Sequence, residues 1–77
     1  MITGAREVTM ADVRETAALS GQPVYFVGDD ANGEGTIWAQ YPDEAEPRGV
    51  LQRCDVVRGD RAAHWAALTG HLPVLGE

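Results

Sequence analysis

Apolar and polar positions along this chain follow two periods. From Met10 to Ala18 the apolar residues Met10, Val13, Ala17 and Ala18 recur at helical spacing beside the polar Arg14 and Glu15, the narrow stripe of a helix that rests on a core. Thr9 stands at the N-cap, Asp12 three residues on completes a variant capping box, and Val8 and Val13 occupy the positions of a hydrophobic staple. Gly21 supplies the left-handed stop. The spacing predicts a helix over residues 10–20.

Beyond Gln22 the period shortens. The run "PVYFVG" is β-branched and aromatic with Pro23 at its start, where a missing N–H is tolerated, and "TIWAQY" has the same character. These predict strands over 23–28 and 35–41. No turn residue interrupts "VLQRCDVV", which predicts a third strand over 50–57. Asp60 as N-cap, the alanine-rich "RAAHWAALT" and the stop at Gly70 predict a helix over 61–69. The expected fold class is therefore α+β: a single small domain, residues 1–77, built as a three-stranded antiparallel meander flanked by an N-terminal and a C-terminal helix.

The segment between the first two strands, "GDDANGEG", superficially matches a calcium loop. Placing Gly33 at the sixth position of an EF-hand puts Gly28 at the first and Ala39 at the twelfth, so two essential ligands are missing. A phosphate cradle is excluded too, because no helix follows and three carboxylates would repel the anion. A hairpin remains. The only asparagine of the chain, Asn32, precedes Gly33, the preferred pair for a two-residue type I′ turn. That turn pairs Phe26 with Ala39, Val24 with Tyr41, Val27 with Trp38 and Tyr25 with Gln40. One face then carries Val24, Phe26, Ile37, Ala39 and Tyr41. The other carries Tyr25, Val27 and Trp38, a candidate strip for binding a partner, or a second core under a helix.

Charge narrows the partner. Twelve acidic residues against six arginines leave a net charge of −6, which disfavours nucleic-acid phosphates and favours a basic protein. Six of the acids lie between Asp29 and Glu46, and Asp43, Glu44 and Glu46 form an exposed acidic edge that joins the aromatic strip as candidate binding residues. The complete absence of lysine, with eleven alanines, matches the codon usage of a GC-rich bacterium or its phage. One cysteine, Cys54, fits a reducing cytoplasm, and no apolar run is long enough to span a membrane.

Chemistry-bearing residues are few. Cys54, His64 and His71 are too scattered for a zinc site, and Ser20 precedes a helix stop rather than sitting in a nucleophile elbow. No catalytic residues, metal or cofactor are expected. Cys54, read within the third strand, suits a small buried residue.

Two resemblances bear on function. "VTMADVRETAALSG" is similar to the opening helix and turn of LacI-type helix-turn-helix domains, which implies DNA binding, although "QPVYFVG" follows where a recognition helix belongs. "TIW", "PRG" and "GDRAA" occur in the order of segments in MbtH-like proteins. That resemblance implies an accessory protein of a peptide synthetase with Trp38 on the partner-binding face, while Val50 stands at the family's second tryptophan. The leading expectation is a non-catalytic interaction or regulatory module that binds another protein, with a homodimer through open sheet edges left open.

Overall fold

The computed structural model describes residues 7–57 and 62–76. They form a small mixed α/β domain with five strands in one sheet and three helices: β1 (Glu7–Val8), α1 (Met10–Ser20), β2 (Val24–Asp29), β3 (Gly35–Gln40), β4 (Arg48–Gln52), α2 (Arg53–Val57), α3 (Ala62–Thr69) and β5 (Val74–Leu75). Three strands and two helices were expected. The additional pieces are two two-residue strands and one short helix. Asp60 and Arg61, the expected start of the last helix, lie outside the described residues.

The local code of α1 operates as the residue types dictate. Thr9 Oγ1 accepts from the Asp12 N–H at 3.1 Å and Asp12 Oδ2 accepts from the Thr9 N–H at 3.4 Å, so two otherwise orphaned donors are satisfied reciprocally. At the other end Gly21 takes φ 69° and donates to Ala17 O at 2.9 Å, the αL cap that a residue with a Cβ adopts only with strain.

The expected strand over 50–57 is corrected to β4, Arg48–Gln52, followed by α2. The pairing explains the break. Gln52 is opposite Thr36, next to the end of β3 at Gly35, so a longer strand would carry backbone groups with no ladder partner. A helix satisfies them internally. Arg53 and the Trp65 ring pack close to Gly35, each 3.6 Å from where its Cβ would stand. Cys54 therefore belongs to α2, with its thiol 3.7 Å from Gln52 Oε1.

The hairpin differs from expectation by one residue. Val24 pairs with Gln40, Tyr25 with Ala39, Phe26 with Trp38 and Val27 with Ile37. The loop holds three residues, Ala31 to Gly33, because Gly33 N donates to Asp30 O at 3.0 Å and Asp30 N donates to Glu34 O at 2.9 Å. That is a type I turn closed by a left-handed residue, Gly33 at φ 79°. Asp30 selects it: its Oδ1 accepts from the Asn32 N–H at 2.8 Å and the Glu34 N–H at 2.9 Å, holding the turn from inside. We expect Gly33→Ala to cost about 1–2 kcal/mol, the left-handed penalty, and Asn32→Ala to cost well under half of that. Urea denaturation of the two variants checks this, and equal losses would restore the two-residue turn.

A one-residue shift exchanges faces. Val24, Phe26, Gly28, Thr36, Trp38 and Gln40 now share one face of the β2–β3 pair, and Tyr25, Val27, Asp29, Gly35, Ile37 and Ala39 share the other. The sheet order is β1-β5-β2-β3-β4, with β1, β5 and β2 parallel and β2, β3 and β4 successively antiparallel. The link from β1 through α1 to β2 and the link from β4 through α2 and α3 to β5 run in opposite directions across the sheet. Right-handed crossovers therefore put α1 on one face and α3 on the other, with α2 at the end of the sheet where β4 stops. Packing agrees: Trp65 of α3 joins Ile37, with Val27, Leu51, Leu68 and Leu72 around them. Phe26, on the opposite face, is only 1% exposed, and α1 buries Val13 and Ala17.

Candidate functional site

The crossover that places α1 also leaves part of its face bare. A helix linking β1 to β2 lies over the strands near that link, and α1 packs on β2 and β3, so among the described residues the β4 edge of the same face lies beyond it. The half-buried Trp38 reaches this edge. Its Nε1–H donates to Gly28 O on β2 at 3.1 Å, while a Cβ added at Gly49 on β4 would stand 3.6 Å from the far edge of the same indole. The ring thus spans three strands, seated over two positions that lack side chains. Glycines in a sheet interior mark such close approaches.

Beside the indole is a shallow cleft of about 420 Å³. Trp38, Thr36 and Gly49 form its floor, Val50 its outer lip, and Asp30, Gln52 and Asp55 its polar wall. The wall is partly prearranged: Gln52 Nε2 donates to Asp30 Oδ2 at 3.1 Å, and the other oxygen of Asp30 is pinned by the turn. The lip exists because β4 carries an irregularity. Leu51 is opposite Ile37 and Gly49 opposite Trp38, so Val50 is an extra residue, 49% exposed. Bulges of this kind discourage another strand from pairing along an edge.

The structure separates the residues expected to form one strip. Trp38 lies on the α1 face. Tyr25 and Val27 lie on the α3 face, where Val27 packs against the Ile37–Trp65 cluster and Tyr25 is 44% exposed. Asp43, Glu44 and Glu46 occupy the loop between β3 and β4, with Asp43 and Glu46 exposed and Glu44 half-buried. Their edge is less bare than the sequence suggested, because the Arg48 guanidinium makes a two-pronged pair with Glu44, Nε donating to Oε1 at 2.9 Å and Nη2 to Oε2. The same guanidinium carbon is 5.7 Å from the Tyr41 ring centroid. The loop is further tied by Gln40, buried at 1% exposure, whose Nε2 donates to Tyr41 O at 3.1 Å and Glu44 O at 2.7 Å. Its Oε1 has no partner among the described residues.

The hydrogen bond from Arg48 holds the Glu44 carboxyl below the ordinary glutamate value and raises the guanidinium in return. A depressed carboxyl stabilises the loop above its unfolded value and loses that contribution as pH falls through the folded one. A carbon-detected titration should therefore place the Glu44 midpoint higher in Arg48→Ala than in the wild type. Identical midpoints would show that the pair is not formed in solution.

Other chemistry-bearing side chains are dispersed. Ser20 bonds within its own turn, Cys54 lies on α2, and His64 and His71 are exposed on and after α3. Among the described residues no group of three or more His, Cys, Asp or Glu is placed to hold a metal ion, and no helix is long and apolar enough to cross a membrane. The chain after α1 enters β2, where the helix-turn-helix resemblance needs a recognition helix. No protein-family model matches the chain, and no curated protein or solved structure is significantly similar to it.

Sequence reasoning missed Asp30 as the turn's organiser, Gln52 and Asp55 as cleft wall, and Gly28 and Gly49 as the seat of Trp38. The signal was a tryptophan with glycines on both neighbouring strands, legible only in the correct register.

Proposed function

We propose that the protein is a non-catalytic interaction module, a regulatory or accessory protein of the cytoplasm of a GC-rich bacterium or its phage, that binds another protein through the Trp38 cleft. The meander β2–β3–β4 carries the binding surface. The observation behind this reading is the half-buried indole that lines an open cleft together with Asp30, Gln52 and Asp55, an aromatic anchor with a polar rim as at the centre of protein interfaces. The net charge of −6 favours a basic partner and speeds its encounter. Tyr25 and the Glu44–Arg48 edge fall on other parts of the surface and take a secondary part.

A photo-crosslinking amino acid installed at Val50, on the lip, should trap a discrete partner in the cell of origin. The same group at Leu19, 82% exposed on α1, should trap none, and Trp38→Phe should weaken the Val50 product. Equal products at both positions, or none at Val50, would remove the cleft as the binding surface.

A further inference from the structure

We infer that the cleft is a pocket for an arginine side chain presented by the partner. The inference rests on the reading of this cleft as the binding surface and specifies its chemistry. Three features select a guanidinium. The cleft is lined by a tryptophan ring anchored by its Nε1 bond to Gly28 O at 3.1 Å, so the indole is oriented before binding. Tryptophan is the best aromatic surface for a cation, and the weakly hydrated planar guanidinium stacks on it at less desolvation cost than an ammonium.

The wall carries two carboxylates, Asp30 and Asp55. Asp30 is clamped through both oxygens, accepting from Asn32, Glu34 and Gln52, which keeps its charge in place. Asp55, exposed on α2, makes no ion pair among the described residues. A guanidinium over the indole keeps its in-plane N–H groups free for such carboxylates, which a stacked apolar side chain cannot match. Finally, the two charged residues that line the cleft, Asp30 and Asp55, are both acidic and the whole chain carries −6, so a cation gains and an anion loses on approach. The bulge at Val50 argues against a whole strand adding along β4 and for a single side chain entering from the lip.

N-acetyl-arginine amide is the probe, followed by ¹⁵N correlation spectra of the full chain. The indole N–H of Trp38 and the amides of Gly49 and Gln52 should shift saturably, while the buried Trp65 indole stays still. N-acetyl-norleucine amide should bind about fivefold more weakly or not at all, and Asp55→Asn, on an exposed position that leaves folding intact, should weaken the arginine probe about threefold or more. High salt should weaken it in the same direction. Equal binding of the norleucine probe, or an unchanged affinity in Asp55→Asn, would overturn arginine selectivity while leaving the cleft as a binding surface. Shifts of Trp38 that depend on protein concentration without any probe would overturn it in favour of a second copy. No shift with either probe, together with no crosslink at Val50, would remove both readings.

Discussion

Phe26→Ala should leave the protein largely unfolded. Phe26 is 1% exposed on the face under α1, and truncating a phenylalanine in such a position costs about 3–5 kcal/mol in lost transfer energy and residual cavity. A chain of 77 residues has about 4–12 kcal/mol of total stability, and small domains sit toward the lower end. The loss is thus comparable with the whole. A thermal melt by far-ultraviolet circular dichroism should show the cooperative transition lost or displaced far downward. Tyr25→Ala, on the neighbouring position but 44% exposed, should move it little. If Phe26→Ala melts near the wild type, the α1 layer is not packed on this face.

Trp65→Ala should cost a similar amount from the other side of the sheet. Trp65 is 8% exposed, anchors α3 on Ile37 and gathers Val27, Leu51, Leu68 and Leu72. Nothing else in α3 that the structure describes is buried as deeply, so its loss should release α3 and with it the covered half of β3 and β4. Milder changes test the two-sided arrangement quantitatively. Phe26→Leu and Trp65→Phe should add to within about 0.5 kcal/mol in chemical denaturation, because the sheet separates them and they share no partners. A coupling above about 1 kcal/mol would mean that the two side chains meet in one core and that the face assignment is wrong.

The Gly28 and Gly49 positions show how the site depends on register. Moved by one residue, Trp38 would face α3 and lie opposite Val27, with no glycine beneath it. The type I′ turn expected from Asn32–Gly33 produces that displaced pairing. The side chain of Asp30 decides otherwise, because two backbone N–H groups converge on one of its oxygens. From sequence alone Asp30 was one acid among three, and nothing in its neighbours distinguished a turn organiser from a solvated charge. Gln52 was equally silent, since its role is set by a contact with Asp30 across 22 positions of chain.

What the sequence by itself determined is local. The limits of α1 follow from Thr9, Asp12 and Gly21, and the existence of β2 and β3 follows from their β-branched and aromatic runs, because capping, propensity and turn geometry act over a few residues and need no distant partner. What only the tertiary structure decided is everything that requires the chain to return on itself. β1 and β5 are two residues each and exist because β2 offers a parallel edge to β5, which in turn offers one to β1. Residues 53–57 read as strand by composition, and they coil because β3 has ended. The cleft itself arises where the Trp38 ring, anchored on β2, meets the bulged β4 and the Asp30 turn, a consequence of chain topology that no window of sequence contains.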